Sequence, residues 1–263
     1  MSNYSVRAVC ADFFRWKIFP WFRRVRGYWE NLGPTSEATW RYIIRLAKGR
    51  ANPQEISSLG ELFGRHRVWA INLDRRPDRW AEVEEEFARL DLAVPRRFTA
   101  IEDINGHLGC SRSHEALLNK YSIDAGGLPL AIFEDDIEFL ANRAALDRLV
   151  AEFLTNPAVD VLALGFNTKS WLPRVGRNLR ILTQSLTTSG YIVKGHAISQ
   201  VLGAASESVN LFNNGKSPSE ASIDVVWQSL QAKELVFVTS RVRSARQRAS
   251  FSDISGAHKK RRV

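Results

Sequence analysis

From Arg67 onward, short apolar runs alternate with longer stretches whose apolar residues recur every three or four positions. Residues 68–73, 94–100, 128–133, 159–165, 189–194 and 235–239 read as strands, and 128–133 has the length of a buried one. Between the first two, Pro77 suits the opening turn of a helix whose Trp80, Val83, Phe87 and Leu90 share one face. Ser111 or Ser113 is placed to cap a helix running to about Tyr121. Further helices are expected at 142–154, 195–206 and 218–231, with a loop over 213–219. Strands alternating with helices predict an α/β fold, with a mostly parallel central sheet flanked by helices. Upstream, residues 37–48 read as a helix and the Gly, Asn, Pro and Ser of 49–60 as a linker. The expected organisation is an N-terminal helical extension and linker over 1–60, an α/β domain over 61–255 and a basic tail over 256–263.

Composition narrows the class. Of 263 residues, 44% are hydrophobic and 25% charged, which excludes a collagen, a coiled coil or a wholly disordered chain. The only two cysteines, Cys10 and Cys110, provide neither a disulfide framework nor a four-cysteine zinc site, and point to a reducing compartment. No uncharged apolar run approaches the ~20 residues of a membrane span. The most apolar N-terminal piece, 18–22, is bounded by Lys17 and Arg23 and reads as neither a span nor a secretory signal.

The net charge of +9 sits at the ends: residues 1–30 carry +4, residues 241–263 carry +7, and the segment between them carries −2. A fold that gripped nucleic acid would carry its basic stripe centrally, so no specific nucleic-acid partner is expected. Residues 1–30 interleave six cations with nine aromatic residues. Rings that bury while guanidinium groups meet phosphate suit an anionic membrane surface; the same rings can instead pack on the main domain, with Pro20 interrupting a helix. The expected location is cytoplasmic, peripheral on the inner face of the membrane.

The strongest chemical signal is Glu134-Asp135-Asp136, directly after an apolar run of buried-strand length. Alternation along an extended chain directs Glu134 and Asp136 to one side and Asp135 to the other. Open α/β sheets bind ligands at the carboxyl ends of their strands. Three adjacent carboxylates repel one another unless a cation compensates them, and oxygen ligands favour Mg²⁺ or Mn²⁺ over zinc. The same triplet also reads as a solvated acidic turn before a helix. Arg75, Arg76 and Arg79 follow the first strand at a helix start, which suits a diphosphate or a set of surface ion pairs. In Gly106–His114, the side chains of His107, Cys110 and His114 can be read as three zinc ligands lacking a fourth, or Cys110 and His114 as a nucleophile pair. Cys110 reads equally as a small buried apolar side chain.

Taken together these segments resemble glycosyltransferase family 25, which comprises lipopolysaccharide and lipooligosaccharide galactosyl- and glucosyltransferases and the related procollagen galactosyltransferases. The resemblance runs over most of the chain from residue 68. Ile71-Asn72-Leu73-Asp74-Arg75-Arg76-Pro77-Asp78-Arg79 is similar to the family's opening strand and loop. Gly109-Cys110-Ser111-Arg112-Ser113-His114 resembles its GCxxSH segment, and Ile132-Phe133-Glu134-Asp135-Asp136 its acidic strand end. Residues 188–193, Ile223-Asp224, and Gln247 with 251–254 are similar to later family segments. The stretch from Ala100 to Gly106 is shorter than the family's usual insert, and residues 1–65 have no counterpart in its compact members.

The resemblance implies a GT-A type fold and transfer of galactose or glucose from a UDP-hexose donor to a hydroxyl of a glycan or glycolipid acceptor, in lipopolysaccharide or other cell-surface polysaccharide synthesis. It implies inversion and dependence on Mn²⁺ (or Mg²⁺), with Asp136 and Glu134 at the metal. Asn72, Asp74, Arg75, Arg76, Arg79, Glu134 and Asp135 are the expected donor-binding set. Inversion needs a carboxylate to take the acceptor proton, for which Asp224 is the first candidate and His114 the second. A non-catalytic adaptor using its basic ends on a transferase-like core is the alternative; the intact acidic triplet weighs against it. A phosphate-transferring hydrolase is weaker still, because no GxxxxGK[ST] sequence is present.

Attachment through residues 1–30 predicts that acidic liposomes co-sediment the full chain, less so as salt rises, but not a chain beginning near Ser58. Equal sedimentation of the two contradicts it.

Overall fold

The first strand, β1 (Val68–Asn72), is buried along its whole length. Val68 and Ala70 enter one apolar cluster while Trp69 and Ile71 enter another, so the period-two alternation serves two covered faces. The same division recurs in β3 (Leu130–Glu134), with Ala131 and Phe133 on one side and Leu130 and Ile132 on the other. A sheet that is apolar on both faces must be covered by helices on both, and the computed structural model has that three-layer arrangement. It describes residues 33–48, 56–122 and 127–248, with the backbone of two short paired strands at Phe251–Ser252 and Ala257–His258. Residues 1–32 and the basic Lys259, Lys260, Arg261 and Arg262 of the tail lie outside the described residues.

On the first face lie α1 (Pro34–Ala47), α2 (Leu59–Gly64), α3 (Pro77–Arg89) and α5 (Arg143–Thr155), through Ala38, Leu62, Phe87 and Phe153 among others. On the second lie α4 (Gly106–Ser122), α6 (Ile198–Asn213), α8 (Ile223–Val226) and α9 (Gln228–Lys233), through Leu118, Val201, Ile223 and Leu230. A four-residue α7 (Pro218–Ala221) precedes α8. The remaining strands of the sheet are β2 (Arg96–Thr99), β5 (Val161–Ala163), β6 (Arg180–Ile181), β7 (Gly190–Val193) and β8 (Phe237–Thr239), in the order β2-β1-β3-β7-β5-β8-β6.

Strands β1, β2, β3, β5 and β8 point one way, while β7 and β6 run against them. The sheet is therefore mostly parallel, and the reversed β7 brings its own start, Gly190, opposite Phe133 near the carboxyl end of β3. A Cβ on Gly190 would stand 3.0 Å from the Ile137 side chain and 3.1 Å from that of Phe133, so a larger residue would make those side chains shift by a few tenths of an ångström. A separate ladder pairs β4 (Ile137–Phe139) with β9 (Ala245–Gln247), which folds the far end of the chain onto the residues after the acidic triplet.

Three local expectations are corrected. First, α4 starts at Gly106 and is capped by Asn105, whose side-chain oxygen accepts from the amides of His107 at 3.1 Å and Leu108 at 3.4 Å. Ser111 and Ser113 lie inside that helix and donate back to the carbonyls of His107 and Gly109. Second, the expected helix over 218–231 is three short ones: Ser222 breaks it with an extended ψ of 141° and a hydroxyl bond to the His107 ring at 3.0 Å, and a turn at Trp227 divides the rest. Third, the end of the expected linker enters α2, capped by Ser58, which accepts from the Glu61 amide. Six residues are too few to show a helical period.

Helix α1 belongs to the core and not to a loose extension: Ala38 and Tyr42 are buried, and Tyr42 donates to the Val175 carbonyl at 2.6 Å. A truncation that tests residues 1–30 must therefore begin no later than Gly33. The helix is anchored by Asp160, which is buried and accepts from Arg45, from the Val236 amide at 2.7 Å and, through its other oxygen, from His196 at 2.8 Å. Burial pushes this carboxyl up, but the His196 hydrogen bond, the Arg45 charge and the Val236 amide outweigh burial and hold it below the usual range. Its folded value is depressed, so its contribution is present above the unfolded value near 3.8 and disappears as pH falls through the folded value. Asp160→Asn should lower unfolding free energy at neutral pH by about 3 kcal/mol in chemical denaturation. A loss below about 1 kcal/mol would show that the cluster does not anchor α1.

Candidate functional site

The parallel strands β1, β2 and β3 end in register: Asn72 lies beside Thr99 and Ile71 beside Glu134. At this carboxyl edge a cleft of about 460 Å³ opens, roofed by residues 100–106 and the first turns of α4. Gly109 permits that roof, since a Cβ there would stand 2.7 Å from the Ile101 carbonyl oxygen. Glu134, Asp135 and Asp136 all line the cleft, with Arg75, Arg79, Cys110, His114 and Gln247 among the other walls.

Each carboxylate meets a different environment. Asp135 is buried, as expected turned away from its neighbours' partners, and accepts from Arg79 at 2.7 Å and from the Asn72 amide at 2.8 Å. Burial pushes its carboxyl up, and Glu134 adds to this, against the opposing Arg79 charge. Glu134 accepts through Oε1 from Thr188 at 2.5 Å and meets His114 Nε2 at 3.4 Å; its Oε2 meets Gln247 Nε2 at 3.4 Å. The main-chain oxygen of Asp136 accepts from the Arg248 amide at 2.6 Å, fixing the turn after β3.

His114 is buried and stacks on Tyr191 with ring centroids 5.8 Å apart, and its Nδ1 lies 3.1 Å from the Tyr191 hydroxyl. A carboxylate only accepts, so Nε2 donates to Glu134 and Nδ1 accepts from Tyr191 in the neutral ring. Tyr191 rests edge-on against Trp227 at 5.5 Å, which fixes the pair from behind. Burial, first, and the Glu134 charge push the Tyr191 hydroxyl well above its ordinary range, so it stays protonated.

The other expected residues divide. Arg75 lines the cleft and pairs with Glu102 at 2.9 Å, both side chains being more than half exposed. Arg76 is not among the lining residues; it pairs with Asp78 at 2.7 Å, and that hydrogen bond brings the Asp78 carboxyl down to about 2. Asp74 pairs with Arg97 at 2.9 Å, also away from the lining. Asn72 is buried behind the cleft, where it donates to Asp135 and accepts from Arg97 at 2.8 Å. Asp224 is not among the lining residues either: it starts α8 and accepts from the Thr187 amide at 3.1 Å. Burial pushes its carboxyl up, the Thr187 amide opposes this, and the Glu134 charge pushes it further up.

His107 does not join Cys110 and His114, because its ring bonds Ser222 and stacks on Phe212. Thr188, Tyr191 and Gln247 hold the site without having been singled out as site residues. The sequence cue for them is that residues 188–193 and Gln247 fall in segments similar to later ones of the family the chain resembles.

For the divalent ion that the resemblance implies, Asp135 does not fit, since its charge is already compensated by the buried guanidinium of Arg79. Asp136 and Glu134 fit: both line the cleft and offer the oxygen donors that a hard cation selects. A scan against models of known protein families finds no match for the chain, and a search of curated proteins finds no relative. Among the described residues no helix is long and apolar enough to cross a membrane.

The Arg79–Asp135 pair is buried at both partners, so removing one charge strands the other. Arg79→Met should cost about 3 kcal/mol by denaturant melts, and Arg79→Met combined with Asp135→Asn should restore part of it. Additive losses would show the two groups to be uncoupled.

Proposed function

We propose that this protein is a GT-A type glycosyltransferase that transfers a hexose, galactose or glucose, from a UDP-sugar to a hydroxyl of a glycan or glycolipid during cell-surface polysaccharide or lipopolysaccharide synthesis. The observation that carries the reading is the set of three carboxylates at the carboxyl edge of a mostly parallel sheet, opening on a cleft of about 460 Å³ with Arg75 at its mouth. That volume is in the range of nucleotide-sized ligands. The resemblance of the same segments to glycosyltransferase family 25 supports it.

Breaking the bond between the sugar's anomeric carbon and the diphosphate leaves negative charge on the UDP product. Asp136 and Glu134 would hold a Mn²⁺ or Mg²⁺ ion, which when bound would supply electrostatic stabilisation of that charge. Arg75 adds a cation from the chain itself: its pairing with Glu102 is exposed and weak, so a diphosphate can replace the carboxylate. Arg79 acts differently, compensating Asp135 and so confining the negative field to the Glu134 and Asp136 side. Thr188, His114 and Gln247 orient Glu134.

Asp224 is the base. It is linked to the acidic edge through the segment from Thr187, whose amide it accepts, to Thr188, which bonds Glu134. Its raised carboxyl makes it a stronger proton acceptor than an ordinary aspartate, deprotonated only above the usual carboxylate range. The acceptor loses its hydroxyl proton to Asp224 as the new bond forms on the face opposite the departing UDP. His114 stays a hydrogen-bonding support.

Incubation with UDP-galactose and UDP-glucose, with release of UDP followed, tests the reading. Asp136→Asn should slow release by about a hundredfold or more. Asp224→Asn should lower turnover with little change in UDP affinity, and should remove the decline in rate as pH falls through the raised Asp224 value. Full activity in the Asp136 variant contradicts the role of the acidic edge. Loss of UDP affinity in Asp224→Asn would move the base to His114.

A further inference from the structure

The cleft carries a second set of donors of different chemistry. Cys110 and His114 lie one turn apart on α4, on the face that meets the end of β3, and Glu134 approaches from the strand. The Cys110 sulfur, a His114 ring nitrogen and a Glu134 carboxylate oxygen all lie within 4.8 Å of one another. We propose that Cys110, His114 and Glu134 form a binding site for a thiolate-preferring divalent ion of the Zn²⁺ class, with its fourth position open to the cleft.

Three features argue for it. The donor set is one thiolate, one imidazole and one carboxylate, which suits zinc and not the oxygen-seeking Mn²⁺ or Mg²⁺. Two anionic ligands and a neutral imidazole balance a doubly charged ion, so the half-buried site is left neutral. The supports are already present: Tyr191 sits 3.1 Å from His114 Nδ1, and Thr188 and Gln247 bond Glu134. A phenol hydroxyl both donates and accepts, so Tyr191 can accept from Nδ1–H when Nε2 turns its lone pair to the ion. All three ligands line the cleft, which gives an entry path and room for a water as fourth ligand.

Binding is written Cys–SH + Zn²⁺ → Cys–S⁻–Zn²⁺ + H⁺, the proton going to solvent, so affinity rises with pH. The site shares Glu134 with the cation site of the sugar-nucleotide reading but is argued from its own donors, and the test below contains no nucleotide, so its failure leaves that reading in place. The sequence pattern alone suggested His107 as the third ligand, but the fold supplies Glu134 instead.

Cobalt(II) is the probe, because a cobalt–thiolate bond gives a charge-transfer absorption that oxygen ligands do not. Titration of the full chain with Co²⁺ under reducing conditions should produce that band to one equivalent, and Zn²⁺ should abolish it. The band should survive Cys10→Ser and vanish in the near-isosteric Cys110→Ser. His114→Ala and Glu134→Gln should each weaken Co²⁺ binding about tenfold or more. No charge-transfer band in the unmodified protein, or a band that survives Cys110→Ser, overturns the proposal. So does undiminished affinity in Glu134→Gln, which would reduce the cluster to a helical Cys–His pair.

Discussion

Three successive carboxylates stand at the end of a strand buried on both faces, and the rest of the site is arranged by the need to compensate them. Asp135 takes the interior solution: Arg79 from α3 and Asn72 from β1 satisfy both of its oxygens. Glu134 takes a polar one, with donors from β7's leading segment, from α4 and from β9. Asp136 follows at the turn, held through its backbone by Arg248. Elements far apart in the chain therefore meet at one point because the charge requires them there. The cleft is the space these partners leave, with Arg79 in its wall beside Asp135.

That division explains why neighbouring acids have different chemistry. A buried carboxylate with a buried guanidinium is a structural pair, whose single removal is costly whatever the protein does. The negative field that remains faces the cleft, where Arg75 is the exposed cation and Cys110 and His114 the softer donors. Asp224 lies outside this lining; burial first, and then the field of Glu134, hold its carboxyl above the usual range.

The layers were legible in the sequence, because Val68, Trp69, Ala70 and Ile71 alternate between two covered faces and Trp80, Val83 and Phe87 keep a helical period. The direction of β7 was not, since an apolar run reads the same both ways and only its pairing with Phe133 and Tyr191's neighbours sets its sense. Nor was the break at Ser222 within 218–231, where a long-range bond to His107 overrides a helical pattern. For the site, the acidic triplet announced itself by adjacency. Its partners did not: Arg79 is 56 residues from Asp135 and Thr188 is 54 from Glu134, and nothing local marks such pairs. Grouping the arginines of 75–79 was accurate as composition and misleading as function, because the fold sends each to a different carboxylate.

The central claim is that Asp136 and Glu134 leave a negative site completed only by a cation and a diphosphate together. Calorimetric titration of UDP into the full chain, with and without Mn²⁺, tests it most directly. The account predicts binding with Mn²⁺, none without it, and none in either case for Asp136→Asn. Equal UDP binding with and without the metal would contradict it.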